Sequence, residues 1–262
     1  PDWAADIAKH LSGTLASPLP PIAPEVLQDL LTRIIKEQPI QDLLASMLKS
    51  PTHWAAITSL NTIASSSLKS PPSTWISQIA DLLKMGPGTP DVRTPLLAAT
   101  KALLPHPSSK ELLLPALQDY AELPKLPAKT RIATALVLPE SSPLRPETFR
   151  AAFDNITSSS PLSDKLTASE AIGRSTLSAE QRSSLLASLP KLDAIAALRV
   201  LPGLIRGASE QSIDLTLSSL LTLPDRNALN APSLRSALRN IPTNLAAKRD
   251  ELLDRLDASV AD

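Results

Sequence analysis

The sequence predicts an all-α chain, a right-handed α-solenoid of HEAT-like helix pairs with about 14–15 short helices. Three observations carry this. Prolines stand where helices should begin. Between them apolar residues recur with helical period. The two-helix unit returns at about 35 residues.

The chain has 262 residues and 26 prolines, enough to destroy a helical protein if placed at random. A proline inside a helix costs about 3 kcal/mol, yet at the first helical position it removes an N–H that has no partner anyway. Helices are expected over residues 2–12, 24–37, 39–49, 51–66, 72–84, 90–104, 108–121 and 127–138. The series continues over 146–157, 162–173, 178–189, 191–201, 209–222, 232–240 and 243–259.

Ala23-Pro24-Glu25 starts the second helix, whose stripe is Leu27, Leu30, Leu31, Ile34 and Ile35. Ser50-Pro51, Ser70-Pro71, Thr89-Pro90 and Ser160-Pro161 each read as a hydroxyl N-cap followed by a proline at the first helical position. Val92, Leu96, Ala99 and Leu103 continue the helix after Pro90. Ser108…Glu111 and Ser178…Gln181 read as capping boxes. Arg145-Pro146 and Ala231-Pro232 mark two further starts. Ile213, Leu217, Leu220 and Leu221 form one late stripe, and Leu245, Leu252, Leu253, Leu256 and Val260 form another. Runs with strand-like alternation are lacking.

Every second start keeps step. Pro51, Pro90, Ala128 and Pro161 form one series, and Pro72, Ser108, Pro146, Ser178 and Ser209 the other, at intervals of roughly 31–39 residues. Residues 1–262 are therefore expected to form a single helical-repeat domain: an N-terminal helix plus a Pro-rich linker over 1–23, then the array over 24–262. The linker, Ser17-Pro18-Leu19-Pro20-Pro21-Ile22-Ala23-Pro24, should be extended and lie on the first repeats.

Composition excludes several chemistries. Lys+Arg and Asp+Glu are 26 each, so the net charge is zero, which argues against a general nucleic-acid or anionic-membrane binder. Without cysteine the chain cannot form disulfides, thiolate zinc sites or iron–sulfur clusters, and cannot attach haem covalently. Aromatics are 2%, as expected of a thin Leu/Ala core two helices deep. The longest apolar stretch, Leu192 to Ile205, is too short to span a bilayer. It reads as two helix fragments meeting at Pro202-Gly203.

No catalytic, cofactor-binding or metal-ligating residue is assigned. His10, His53 and His106 lack metal-ligand spacing. Ser46…Lys49 and Ser66…Lys69 fit S-x-x-K without the S-D-N and K-T-G partners that β-lactamase-type chemistry needs. Glu37/Asp42 and Glu210/Asp214 have near-helical spacing and read as solvated faces. Asn155-Ile156-Thr157 matches the glycosylation sequon. Trp54 and Trp75 should share one inter-helix seam. The basic residues Arg226, Arg235, Arg239, Lys248, Arg249 and Arg255 are interleaved with acidic ones.

A resemblance adds context. Lys165-Leu166-Thr167-Ala168-Ser169-Glu170-Ala171-Ile172-Gly173-Arg174 reads as a helix closed by glycine. Leu177-Ser178-Ala179-Glu180-Gln181, Leu201-Pro202-Gly203-Leu204 and Leu252-Leu253-Asp254-Arg255-Leu256-Asp257 follow. This order resembles the HEAT-like repeat segment of large bacterial haem-binding proteins, which are similar to membrane-bound sugar dehydrogenases. It covers residues 160–262 best. That family places a β-propeller before the repeats and a c-type cytochrome domain after them. The resemblance implies an exported, periplasmic or cell-envelope protein with haem c in a neighbouring domain and no cofactor in this segment. It transfers no functional residue.

The expectation is a non-enzymatic scaffold, an interaction or domain-spacing segment of a larger chain. Its partner is expected to be protein, either adjacent domains or another chain, without nucleic acid or a membrane span. The alternatives are an alkylpurine-glycosylase-like DNA enzyme and a stand-alone peptide-binding adaptor.

Overall fold

The computed structural model describes residues 2–50, 53–86, 88–221, 231–239 and 241–261. Fifteen α-helices and no strand occur among the described residues. The chain divides into two compact units, Pro1–Leu126 and Pro127–Asp262.

The first unit holds α1 (Asp2–Thr14), α2 (Pro24–Arg33), α3 (Gln38–Leu48), α4 (His53–Ala64), α5 (Ser73–Met85), α6 (Pro90–Leu103) and α7 (Pro107–Ala121). Each helix packs on the second one along the chain. The sequence α1, α3, α5, α7 makes one layer, and α2, α4, α6 the other. Contacts of α3 with α4 and of α5 with α6 join the layers.

The second unit holds α8 (Ala128–Val137), α9 (Pro146–Thr157), α10 (Leu162–Arg174), α11 (Ala179–Ser188), α12 (Ala194–Ile205), α13 (Glu210–Leu221), α14 (Ala231–Ala237) and α15 (Ala246–Ala261). It repeats the scheme, with α8, α10, α12, α14 in one layer and α9, α11, α13, α15 in the other. Its core is built mainly from Ala, Leu, Ile and Val side chains, with Phe149 as its one buried ring. This is the thin Leu/Ala core expected from the aromatic deficit.

Polar contacts between neighbouring repeats show the period directly. In the first unit Trp75 Nε1 donates to the Gln41 carbonyl (2.9 Å) and Trp54 Nε1 to the Ser17 carbonyl (2.8 Å). In the second, Gln181 Nε2 donates to the Leu144 carbonyl (2.8 Å), and Arg174 Nη1 to the Leu136 carbonyl (3.1 Å). Arg206 Nη1 spans the Gly173 and Ser175 carbonyls, and Lys248 Nζ reaches the Asp214 carbonyl. These contacts join residues 31–38 apart, the interval between predicted helix starts. The Ser17, Leu144 and Ser175 carbonyls lie in loops or just past a helix end and gain a donor from the next repeat, whereas the Gln41 and Asp214 carbonyls lie inside helices and accept through a second lone pair.

The proline starts are confirmed at Pro24, Pro90 and Pro146, each in the first turn. Several cap assignments need correction. Pro161 and Pro72 themselves occupy the cap positions of α10 and α5, so Ser160 and Ser70 lie outside them. The missing N–H of proline is as harmless at the cap as one residue later, so the helix can begin on either side. Thr89 is the cap residue of α6, but its side chain makes no cap bond; its hydroxyl lies 3.2 Å from His53 Nδ1. Ser108 falls inside the first turn of α7, which His106 precedes. The Ser178/Gln181 capping box forms as expected, with bonds of 3.2 and 2.9 Å. Pro51 of the Ser50-Pro51 start lies outside the described residues, and the Ser50 hydroxyl donates to the Leu15 carbonyl.

Two helix ends also differ. The α2 helix stops at Arg33 rather than at 37, and Glu37, the extended residue that caps α3, starts the next helix. Gln41 Nε2 then donates to the freed Ile35 carbonyl (3.1 Å). Pro202 does not divide the apolar stretch into two fragments: α12 runs through it, capped at its start by Asp193 Oδ1 accepting from Ala196 N (2.8 Å). Burial of Val200, Leu201, Gly203 and Leu204 holds the helix past the proline.

Gly173 needs the third correction. It is not the residue that caps α10 but the penultimate residue of that helix, buried, where α10 crosses α12. A Cβ on Gly173 would lie 1.9 Å from the Arg199 carbonyl oxygen, and one on Gly203 would lie 2.4 Å from that of Ile172. Two glycines thus let the backbones touch at one crossing.

Candidate functional site

The α9 helix carries Pro146, Phe149, Arg150 and Phe153 at i, i+3, i+4 and i+7, which places them on one face. The inward edge of that face is core: Phe149 is buried and packs among the apolar residues of the second unit. Phe153 is half-buried, and its ring stacks on Phe149 with centroids 5.4 Å apart. These are the only two phenylalanines of the chain. The opposing wall is α11, where Ser178, Glu180, Gln181 and Ser184 face them across an open groove of about 280 Å³.

The groove's polar groups divide into used and available ones. Buried Gln181 is fully engaged, donating to the Leu144 carbonyl and accepting from Ser178 N, so it fixes the groove wall. Arg150 pairs with Glu147 at 2.9 Å, an exposed i,i+3 pair that contributes little. Glu180 is exposed and has no ion pair among the described residues. The volume falls below the roughly 300–1,000 Å³ of small-molecule sites.

A second apolar groove, about 380 Å³, lies between α1 and α2 against the Pro-rich segment, lined by Ile7, Leu11, Pro21, Ile22, Leu27 and Leu30 with Asp6 and His10. The segment lies against the first repeats, the Ser17 carbonyl accepting from Trp54 Nε1 and the preceding Leu15 carbonyl from Ser50 Oγ, but it bends at Ser17–Leu19 and Pro21–Ile22 instead of running extended as expected.

The sequence-derived candidates resolve individually. His10 lines the α1–α2 groove, His53 meets Thr89, and His106 precedes α7, so the three histidines stand apart on different elements. The Ser46 hydroxyl donates to the Asp42 carbonyl. Glu210 and Asp214 do not act as a pair: Glu210 accepts from Asn244 (2.8 Å), whereas Asp214 binds Lys248. Both tie α13 to the segment one repeat on. Asn155 donates to the Ala151 carbonyl within α9 and accepts from Ser160, so its amide is committed to the helix. Trp54, half-buried, donates its indole N–H to the Pro-rich segment, and Trp75, fully buried, donates to α3. Arg226 of the basic group lies outside the described residues. Lys248 and Arg255 are ion-paired, and Arg249 Nε contacts Asp250. No group of three or more His, Cys, Asp or Glu able to hold a metal, and no helix long and apolar enough to cross a membrane, occurs among the described residues.

One buried group is perturbed. Tyr120, in α7, is 1% exposed and its hydroxyl has no hydrogen-bond partner among the described residues. Burial raises its pKa above the usual value near 10, partly opposed by the Arg93 guanidinium. Above pH 10 the unfolded chain loses this proton while the folded chain keeps it, so stability falls as pH rises through that range. Thermal melts from pH 8 to 11 should show an alkaline loss that Tyr120→Phe reduces, with Tyr120→Phe near neutral at pH 8. An identical alkaline slope in the variant would contradict the assignment.

Sequence reasoning missed the α9–α11 groove. Its signal was present: both phenylalanines fall on one helical face beside an arginine. No family model matches the chain, and neither a curated protein nor a solved structure matches it.

Proposed function

We propose that the chain is a non-enzymatic helical-repeat scaffold that holds polypeptide, either another protein or neighbouring domains of its own chain. The observation that carries this reading is the α9–α11 groove: an aromatic floor of side-chain size, open to solvent, between two helices held in step by the Gln181–Leu144 bond. Aromatic side chains and arginine are the residues that most often dominate protein interfaces. Helices stacked in layers present such grooves on an extended surface. The haem-protein resemblance adds an exported redox setting to the proposal and rests on the sequence alone.

A random nonamer library displayed on phage and panned on the immobilised full chain tests this. Sequences should be enriched, and Ser184→Trp, which fills the groove from its exposed rim, should release them. A library that enriches nothing over the bare support would refute the scaffold reading at this groove.

A further inference from the structure

We infer that the α9–α11 groove selects a polypeptide segment with one bulky apolar anchor flanked by basic residues. The inference rests on the scaffold reading above and names the partner's chemistry. The groove floor is Phe149 stacked on Phe153, with Pro146 beside them, a surface that gains most from an apolar side chain laid on the ring faces. The volume, about 280 Å³, admits an anchor and little more.

The rim decides the flanks. Two charged residues line the groove, Arg150 and Glu180. Arg150 lies 2.9 Å from Glu147, whose carboxylate offsets its charge. Glu180 stands in the first turn of α11, where the helix N-terminus contributes roughly half a positive charge. Half a charge offsets only part of a full carboxylate. The rim is therefore net negative at Glu180, and the complementary occupant carries Lys or Arg next to its anchor. An acidic flank would meet an uncompensated like charge, so the same residue both attracts and rejects.

Fluorescence anisotropy with defined nonamers tests the inference on the full chain. One probe has a central leucine flanked by arginines, a second replaces the arginines by glutamates, and a third replaces the leucine by alanine. The arginine peptide should bind about fivefold tighter than the glutamate peptide at low salt, with the gap shrinking as salt rises. The alanine peptide should lose about tenfold. Glu180→Lys should reverse the preference between the charged peptides. Ser184→Trp should abolish binding of all three while its melting temperature and circular dichroism stay at the parent values. Equal binding of both charged peptides, or a preference that Glu180→Lys leaves in place, would overturn the inference while leaving the scaffold reading intact. Binding that survives Ser184→Trp would place the peptides elsewhere and overturn it as well. Failure of every library peptide in the panning experiment would instead remove the scaffold reading beneath it.

Discussion

Gly173→Ala is expected to destabilise the protein by about 3 kcal/mol, because the added methyl has no space into which it can relax. Its Cβ would stand 1.9 Å from the backbone oxygen of Arg199, and backbone cannot rotate aside as a flexible side chain can. Alanine would gain up to about 1 kcal/mol in helix propensity over glycine, so the clash must exceed that gain for the loss to appear. It does, since relief requires α10 and α12 to separate. Separation loosens Ala168, Ala171, Ile172, Ala196, Ala197 and Val200, all buried. Gly203→Ala should act in the same direction through the Ile172 oxygen at 2.4 Å. Gly13→Ala is the control: its Cβ would meet nothing within 4 Å, and helix propensity should then stabilise by roughly 0.5–1 kcal/mol. Urea denaturation measures all three, and hydrogen exchange should show the Gly173→Ala loss concentrated in α10 and α12. A Gly173→Ala chain as stable as its parent would mean that the two helices do not approach to backbone contact.

Trp75→Ala is the second large effect, expected at about 3–5 kcal/mol. Trp75 is the largest fully buried side chain, and its removal leaves a cavity in the layer where α5 packs between α3 and α7. It also removes the Nε1–H that donates to the Gln41 carbonyl at 2.9 Å. The two contributions can be separated. Trp75→Phe keeps much of the apolar volume and loses the donor, so the hydrogen-bond share, about 1 kcal/mol, should appear in that variant beside a smaller cavity term. Because stacked repeats stabilise chiefly their neighbours, hydrogen exchange should quicken most in α3, α5 and α7. If Trp75→Ala costs no more than an exposed substitution such as Leu112→Ala, the seam between α3 and α5 is not packed as described.

The particular residues show why some features were legible in advance. Helix positions were readable because proline and the apolar stripes act locally: a proline excludes an intrahelical donor wherever the chain folds. The Ser178/Gln181 box was readable for the same reason, both partners being three residues apart. Gly173 was misread because a glycine near a helix end fits a cap as well as a crossing, and only the position of α12 distinguishes them. Pro202 was misread because the local cost of an interior proline is offset by burial that spans several helices. Tryptophan partners were invisible for a related reason: Gln41 and Ser17 are backbone acceptors, which carry no residue signature. The groove lay between the two cases. Its α9 wall was written in the helical spacing of Phe149, Arg150 and Phe153, whereas its α11 wall depended on which helix packs beside α9.

The amino-acid order alone thus determined an all-helical chain, the approximate span of each helix and a repeat near 35 residues, since each follows from interactions within one or two turns. Proline, prominent by count, set the starts of several helices. Tertiary structure decided the rest: which helices share a layer, which carbonyls the next repeat satisfies, where backbones touch at Gly173 and Gly203, and that the only two phenylalanines floor a groove. These depend on contacts between residues far apart in the sequence, 31–38 residues for the hydrogen bonds between repeats, and a partner's identity at such distances is set by packing geometry rather than by local spacing.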